Sequence, residues 1–194
     1  MKRLEFIFIR HGQGEHTVNL PASLQNPDPA LTKEGINQAK KLRKEFPLSE
    51  KDVLVISPIR RTLQTAMIWS EGINCNKIVT PLVAPRMFPQ NPNWDSLPCD
   101  AILKKEIIKD EFSCFKIDDE LLFDLWIEGI NTLPEFKFNI LAEKFIKWCK
   151  QLHKRRVYIV SHDGTITSYR QFITRKQLSK GDFLKETGWF KIEC

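Results

Sequence analysis

Two histidines in this chain each close a short apolar run rich in β-forming residues, and each has neighbours able to grip an anion. Arg10-His11-Gly12 ends the run at 4–9 (LEFIFI), and Ser161-His162-Asp163-Gly164 ends the run at 157–160 (VYIV). A third polar cluster, Ser57-Pro58-Ile59-Arg60-Arg61, follows 53–56 (VLVI). Arginine suits phosphate because its planar fork makes bidentate hydrogen bonds. A neutral imidazole is a competent nucleophile toward phosphorus. Roughly three quarters of an unperturbed histidine is neutral at pH 7, and neighbouring cations raise that share. The same cations stabilise charge on a transferring phosphoryl group, a task that elsewhere falls to Mg²⁺. Glu15 and His16 suggest a metal pair but lack the H-E-x-x-H form, so no metal site is expected. Contact of either residue with substrate stays open.

These clusters must be brought together by the elements that carry them. Residues 12–31, with Gly, Asn and three prolines, read as a loop. Thr32 is the expected N-cap of a helix over 33–46, where Ile36, Ala39, Leu42 and Phe46 recur at helical spacing, and Pro47 stops it. Ser57 reads as a cap and Pro58 as the first helical position of a helix over 59–70. Another strand is expected within 77–83. Strand, helix, strand, helix, strand implies a parallel sheet with right-handed crossovers. Ligands bind such sheets beyond the carboxyl ends of the strands, where all three clusters lie. From Ala84 to about Leu133 the alternation breaks, and this segment reads as an inserted cap. Trp94, Phe112, Phe115, Phe123 and Trp126 are its candidate satellite core. A long helix over 134–152 presents Leu141, Phe145, Trp148 and Leu152 as one buried face. A further helix follows Ser161-His162-Asp163-Gly164 and runs through Phe172, and the tail 187–194 is a candidate edge strand.

The segments RHG, SPIRRTLQTA and SHDG, together with DPALTKEGINQAKKL after the first loop, resemble the histidine phosphatase superfamily, also called phosphoglycerate mutase-like. The resemblance spans most of the chain outside the cap. It implies a three-layer α/β/α sandwich with a mostly parallel central sheet and an inserted cap region over the pocket. It also implies that His11 is the phosphorylated nucleophile and that Arg10, Arg61 and His162 hold the phosphoryl group. No cofactor is implied. The implied reaction is hydrolysis of a phosphomonoester in two in-line steps, with a carboxylic acid protonating the leaving oxygen and then activating water. Gly12, Gln13, Asn19 and Arg60, with Glu15 and His16, are the substrate-side candidates. The chain departs from the family pattern in two places. Gly14 and Thr17 stand where many members have Thr or Ser and Asn, so Asn19 is the candidate for the shifted Asn. The stretch PLVAPRMFPQNPNWDSLPCD has no Glu where the usual acid lies, which leaves Asp100, Asp95 or Glu15, with Asp100 preferred. A phosphoglycerate mutase and a non-catalytic phospho-ligand binder are the rival readings.

The bulk properties agree with a soluble globular protein of one domain, or of one domain carrying a large insertion. The chain has 194 residues, 42% hydrophobic and 28% charged, enough to bury a core without staples. Thirty Lys and Arg against 24 Asp and Glu give a formal charge of +6. The densest basic run, 150–156, falls at an expected helix end, where cations favour the helix dipole. A small phosphorylated molecule is therefore the expected partner rather than nucleic acid. Five cysteines without a C-x-x-C pair suggest free thiols and the cytoplasm. The amino-terminal apolar run is too short for a signal peptide. No stretch approaches the roughly 18 apolar residues of a membrane helix.

Overall fold

The computed structural model describes residues 4–118 and 123–193, with Phe123 described by its backbone alone. A six-stranded sheet is built from β1 (Glu5–Arg10), β2 (Val53–Ile56), β3 (Asn76–Val79), β4 (Lys116–Ile117), β5 (Arg156–Ser161) and β6 (Trp189–Glu193). Their order is β4-β3-β2-β5-β1-β6. The first five run parallel, and β6 lies antiparallel along β1. Six helices accompany them: α1 (Lys33–Glu45), α2 (Arg60–Trp69), α3 (Lys105–Glu111), α4 (Phe123–Glu128), α5 (Glu135–Gln151) and α6 (Asp163–Thr174).

Alternation along the strands makes the three layers. Phe6, Phe8, Val53, Val55, Val157 and Ile159 face one core, with Phe138, Ala142, Phe145 and Cys149 of α5 and Ile166 and Tyr169 of α6. Ile7, Ile9, Leu54, Ile56, Tyr158 and Val160 face the other, with Leu42 of α1 and Leu63, Ala66 and Trp69 of α2. A strand buried on both faces reads as a continuous apolar run, because its two side-chain sets both meet helices. Each large side chain so buried contributes about 1.5–3 kcal/mol relative to exposure. Thr32 caps α1 as expected, its hydroxyl accepting from the Gly35 amide at 3.0 Å.

Several expectations need correction. Phe112, Phe115 and Trp126 form no satellite core; they join the second main core, beside Ile108 and Leu103. Trp94 is instead exposed, and the side chain of Phe123 lies outside the described residues. The chain between Ala84 and Leu133 also supplies β4, which pairs with β3 in the main sheet. On α5 the buried stripe is Phe138, Ala142, Phe145 and Cys149. Leu141, Trp148 and Leu152 flank it, half-buried, because the stripe centres one residue round the helix. β3 ends at Val79, and a 3-10 turn at Pro81–Val83 follows. Ser57 is not a helix cap: α2 starts at Arg60 after Ile59, and the Ser57 hydroxyl is engaged elsewhere.

Candidate active site

β1, β5 and β2 are adjacent, so the three polar clusters emerge side by side. Register sets their height. Arg10 pairs with Ser161 and Ile56 with Val160, which places His11 beside His162 and Ser57 beside Ser161. Backbone bonds continue past the strands, from His11 N to Ser161 O and from Ser57 N to Val160 O, both 3.1 Å. The ring centres of His11 and His162 are 5.1 Å apart. Arg61, on the first turn of α2, reaches in between them. Close packing of the first loop on α1 fixes the approach. A Cβ on Gly12 would sit 2.6 Å from the Gly35 oxygen, and one on Gly35 would sit 2.1 Å from the Gln13 oxygen. Gly12 N also donates to Thr65 Oγ1 at 3.1 Å, and Thr65 Oγ1 donates to Arg61 O at 2.7 Å, so loop and helix are tied at the residues that matter.

The hydrogen bonds assign the protons. His11 Nδ1 lies 2.7 Å from the Gly12 carbonyl, which can only accept, so Nδ1 carries the hydrogen. Nε2 is left with a lone pair, toward which Arg61 Nε donates at 3.3 Å. Arg61 Nη2 donates to His162 Nδ1 at 3.3 Å, so the His162 hydrogen is on Nε2 and points to Ser57 Oγ at 2.8 Å. The remaining Arg61 bonds go to the Cys99 carbonyl from Nη1 at 2.7 Å and to Asp100 Oδ1 from Nη2 at 3.1 Å. Burial holds His11 and His162 well below the ordinary histidine pKa, and the Arg61 cation pushes the same way. His16, its ring centre 5.5 Å from that of His11, is lowered to about 3 by burial and by Arg61 and Arg10. Burial raises the Asp100 pKa, while Arg61 and the amide of Asn131, 3.3 Å from Oδ2, pull it down.

These groups lie at the bottom of a cleft of about 760 Å³. Arg10, His11, His16, Arg61, Asp100 and His162 all line it. Arg10 is held by Asp163 at 3.0 Å and by the Leu184 carbonyl at 2.6 Å. Asp95 lines the outer cleft and is exposed. The other sequence candidates lie elsewhere. Gln13 is fastened to α1: its amide donates to Gln38 Oε1 at 2.7 Å, and its side chain accepts from Thr32 at 2.8 Å. Gly12 packs against Gly35 rather than lining the cleft. Glu15 is exposed and accepts from the Ala30 amide at 3.1 Å. Asn19 is exposed and outside the cleft. Arg60 points away, bonding Asp28 at 2.7 Å and forming an ion pair with Glu111. Ser57, Asn131 and Thr65 complete the cluster and were not singled out from the sequence. Ser57 was visible, four residues before Arg61, but was read as a cap. Asn131 sits in a stretch with no periodicity to mark it. Among the described residues no group of three or more His, Cys, Asp or Glu side chains is gathered as metal ligands. The arrangement offers a nucleophilic imidazole nitrogen, a guanidinium beside it and a carboxyl group on the guanidinium's far side, a set suited to moving a phosphoryl group.

Comparison with known proteins bears on the fold. Residues 6–88 match the model of the histidine phosphatase superfamily, branch 1. That span contains His11 and Arg61 and stops before Asp100 and His162. No curated protein matches the chain in sequence. Among solved structures, the phosphoserine phosphatase from Entamoeba histolytica, in complex with 3-phosphoglyceric acid, is similar at 17% identity and TM-score 0.63, covering 97% of this chain and 89% of that one. The mycobacterial glucosyl-3-phosphoglycerate phosphatase is similar at 17% identity and TM-score 0.61, covering 97% and 90%. The α-ribazole phosphatase from Shigella flexneri is similar at 18% identity and TM-score 0.57, covering 97% and 89%.

Proposed function

Because residues 6–88 belong to the histidine phosphatase superfamily and the chain takes the fold of that superfamily's solved members, we propose that it hydrolyses a small phosphomonoester through a phosphohistidine on His11, without a metal ion. The observation that carries this reading is the His11 tautomer: Nδ1 is occupied by the Gly12 carbonyl, and the Nε2 lone pair faces the Arg61 guanidinium at the cleft bottom. In the first step Nε2 attacks phosphorus in line. The P–N bond forms, the ester P–O bond breaks, and Asp100 delivers its proton to the leaving alkoxide. Arg61, Arg10 and His162 take the phosphoryl oxygens. In the second step Asp100 removes a proton from water as the water's oxygen displaces His11, releasing inorganic phosphate. Asp100 suits the acid role better than its rivals because, of the three, it alone bonds Arg61, and burial raises its pKa.

One domain, with 84–133 contributing the upper wall of the cleft, is the organisation this reading uses. Among the described residues no helix is long and apolar enough to cross a membrane. The free thiols of Cys75, Cys99 and Cys114 support a reducing, cytoplasmic setting. The test is phosphate release from a panel of phosphomonoesters with His11→Ala as control, in the presence and absence of a chelator. Alkaline quenching should trap an acid-labile phosphoryl label on the wild type alone. Wild-type activity indifferent to the chelator, and its loss in a variant with an unchanged circular dichroism spectrum, is the expected result. Equal turnover by both proteins refutes the mechanism, and isomerisation of phosphoglycerate without phosphate release would favour the mutase reading.

A further inference from the structure

The upper cleft has a different character from its floor. Most of the exposed lining of the cleft as a whole is apolar, and Leu24, Met87, Phe88, Trp94, Leu97 and Phe183 contribute to it. Phe88 and Phe183 pack together with ring centres 6.2 Å apart. Trp94 and Leu97 stand out toward solvent, 52% and 42% exposed. Large apolar side chains left uncovered at the mouth of a polar site are unfavourable unless something covers them. Their continuity with the phosphoryl site makes the rest of the substrate the occupant. The volume, about 760 Å³, lies in the range of roughly 300–1,000 Å³ of clefts that enclose molecules well beyond the size of a phosphate.

The cations argue the same way by being already committed. Arg10 is held by Asp163 and the Leu184 carbonyl. Arg86, also on the lining, donates to the carbonyls of Ile130 and Leu133 and pairs with Glu135. Lys180 is exposed at the rim, its ammonium 5.4 Å from the centre of the Trp94 ring, and Asp95 on the same wall opposes an anion there. Of the guanidinium groups of Arg10, Arg61 and Arg86, only the buried Nε of Arg10 and of Arg86 is left without a partner, so a second phosphate or a carboxylate near the ester would meet no arginine that lacks a carboxylate of its own.

Resting on the phosphatase reading above, we propose that the outer cleft selects phosphomonoesters of bulky, largely apolar alcohols over small polar or doubly anionic ones, with Trp94 and Leu97 as specificity-determining residues. The test compares ethyl phosphate, 2-phenylethyl phosphate and 3-phosphoglycerate, whose leaving oxygens are all on aliphatic alcohols, so that intrinsic reactivity differs little between the first two. The wild type should favour 2-phenylethyl phosphate over ethyl phosphate in kcat/KM by at least about ten-fold, the low end of what burying an aromatic ring yields. Trp94→Ala and Leu97→Ala should each shrink that ratio, chiefly through KM. Both positions are exposed, so a thermal melt should show the variants folded. Equal kcat/KM for the two alkyl esters, preference for 3-phosphoglycerate, or a ratio unchanged in both variants overturns the inference and leaves the phosphatase reading standing. No turnover of any of the three, nor of any other phosphomonoester, overturns both.

Discussion

A guanidinium donates and never accepts, so Arg61 dictates which nitrogen of each neighbouring imidazole is bare. Replacing it with Lys keeps a charge but cannot reproduce bonds to His11, His162, Cys99 and Asp100 at once. Arg61→Lys should lower kcat by on the order of 10²–10³, read from initial rates alongside a melting curve. The pH profile follows from the two opposite shifts. His11 stays neutral far below the usual histidine range, so kcat/KM should not fall from pH 7 to 6, where an ordinary histidine nucleophile would lose activity. Asp100 keeps its proton to higher pH than a surface carboxyl, so activity should decline as pH rises through its pKa. Asp100→Asn should remove that decline along with most of the rate. At this scale the sequence points to His11 and His162 because each sits directly after a strand, and to Arg61 because it stands four residues after Ser57 at the start of a helix. Gln13, Glu15, Asn19 and Arg60 lie outside the cleft, since proximity along the chain says nothing about which way a side chain turns.

Elements position these residues by packing rather than by propensity. Gly35 lies so close to the Gln13 carbonyl that a methyl group there would meet it at 2.1 Å. Gly35→Ala should cost about 1–3 kcal/mol, as overpacking does, and should lower kcat as well, because the same loop carries His11. A urea titration and a rate measurement on one preparation would check both. Arg60→Ala, by contrast, breaks ion pairs to Asp28 and Glu111 outside the cleft. It should cost less than about 1 kcal/mol and leave kcat/KM within about two-fold, consistent with a change away from the site. Helices with a single clean period were legible within a residue or two, α1 best of all because Thr32 caps it. The buried stripe of α5 was misplaced because Leu141, Trp148 and Leu152 are as apolar as the residues actually turned inward.

Over the whole molecule the two cores, one on each sheet face, were implicit in the strand runs, whereas the joining of 105–117 and Trp126 to the second core was not. Irregular segments announce no face, and β4 has only two residues with which to declare itself. The gathering of three neutral imidazoles has a global cost in acid. The unfolded chain protonates each histidine near pH 6.5, while the folded chain resists, to about 3 for His16. The unfolded state therefore binds more protons, and stability should fall as pH drops below about 6.5. Asp100 acts in the opposite sense, but it is one group against three. Urea midpoints at pH 7, 5.5 and 4.5 should decrease in that order, and a flat series would contradict the burial described. Finally, β6 closes the edge of β1. Gly188 accepts from the Arg10 amide at 3.0 Å, Thr187 donates to the His11 carbonyl at 3.2 Å, and Trp189–Glu193 zips along the strand behind them. A nascent chain on the ribosome thus keeps His11 beside a raw, unpaired edge until residue 193 has cleared the exit tunnel.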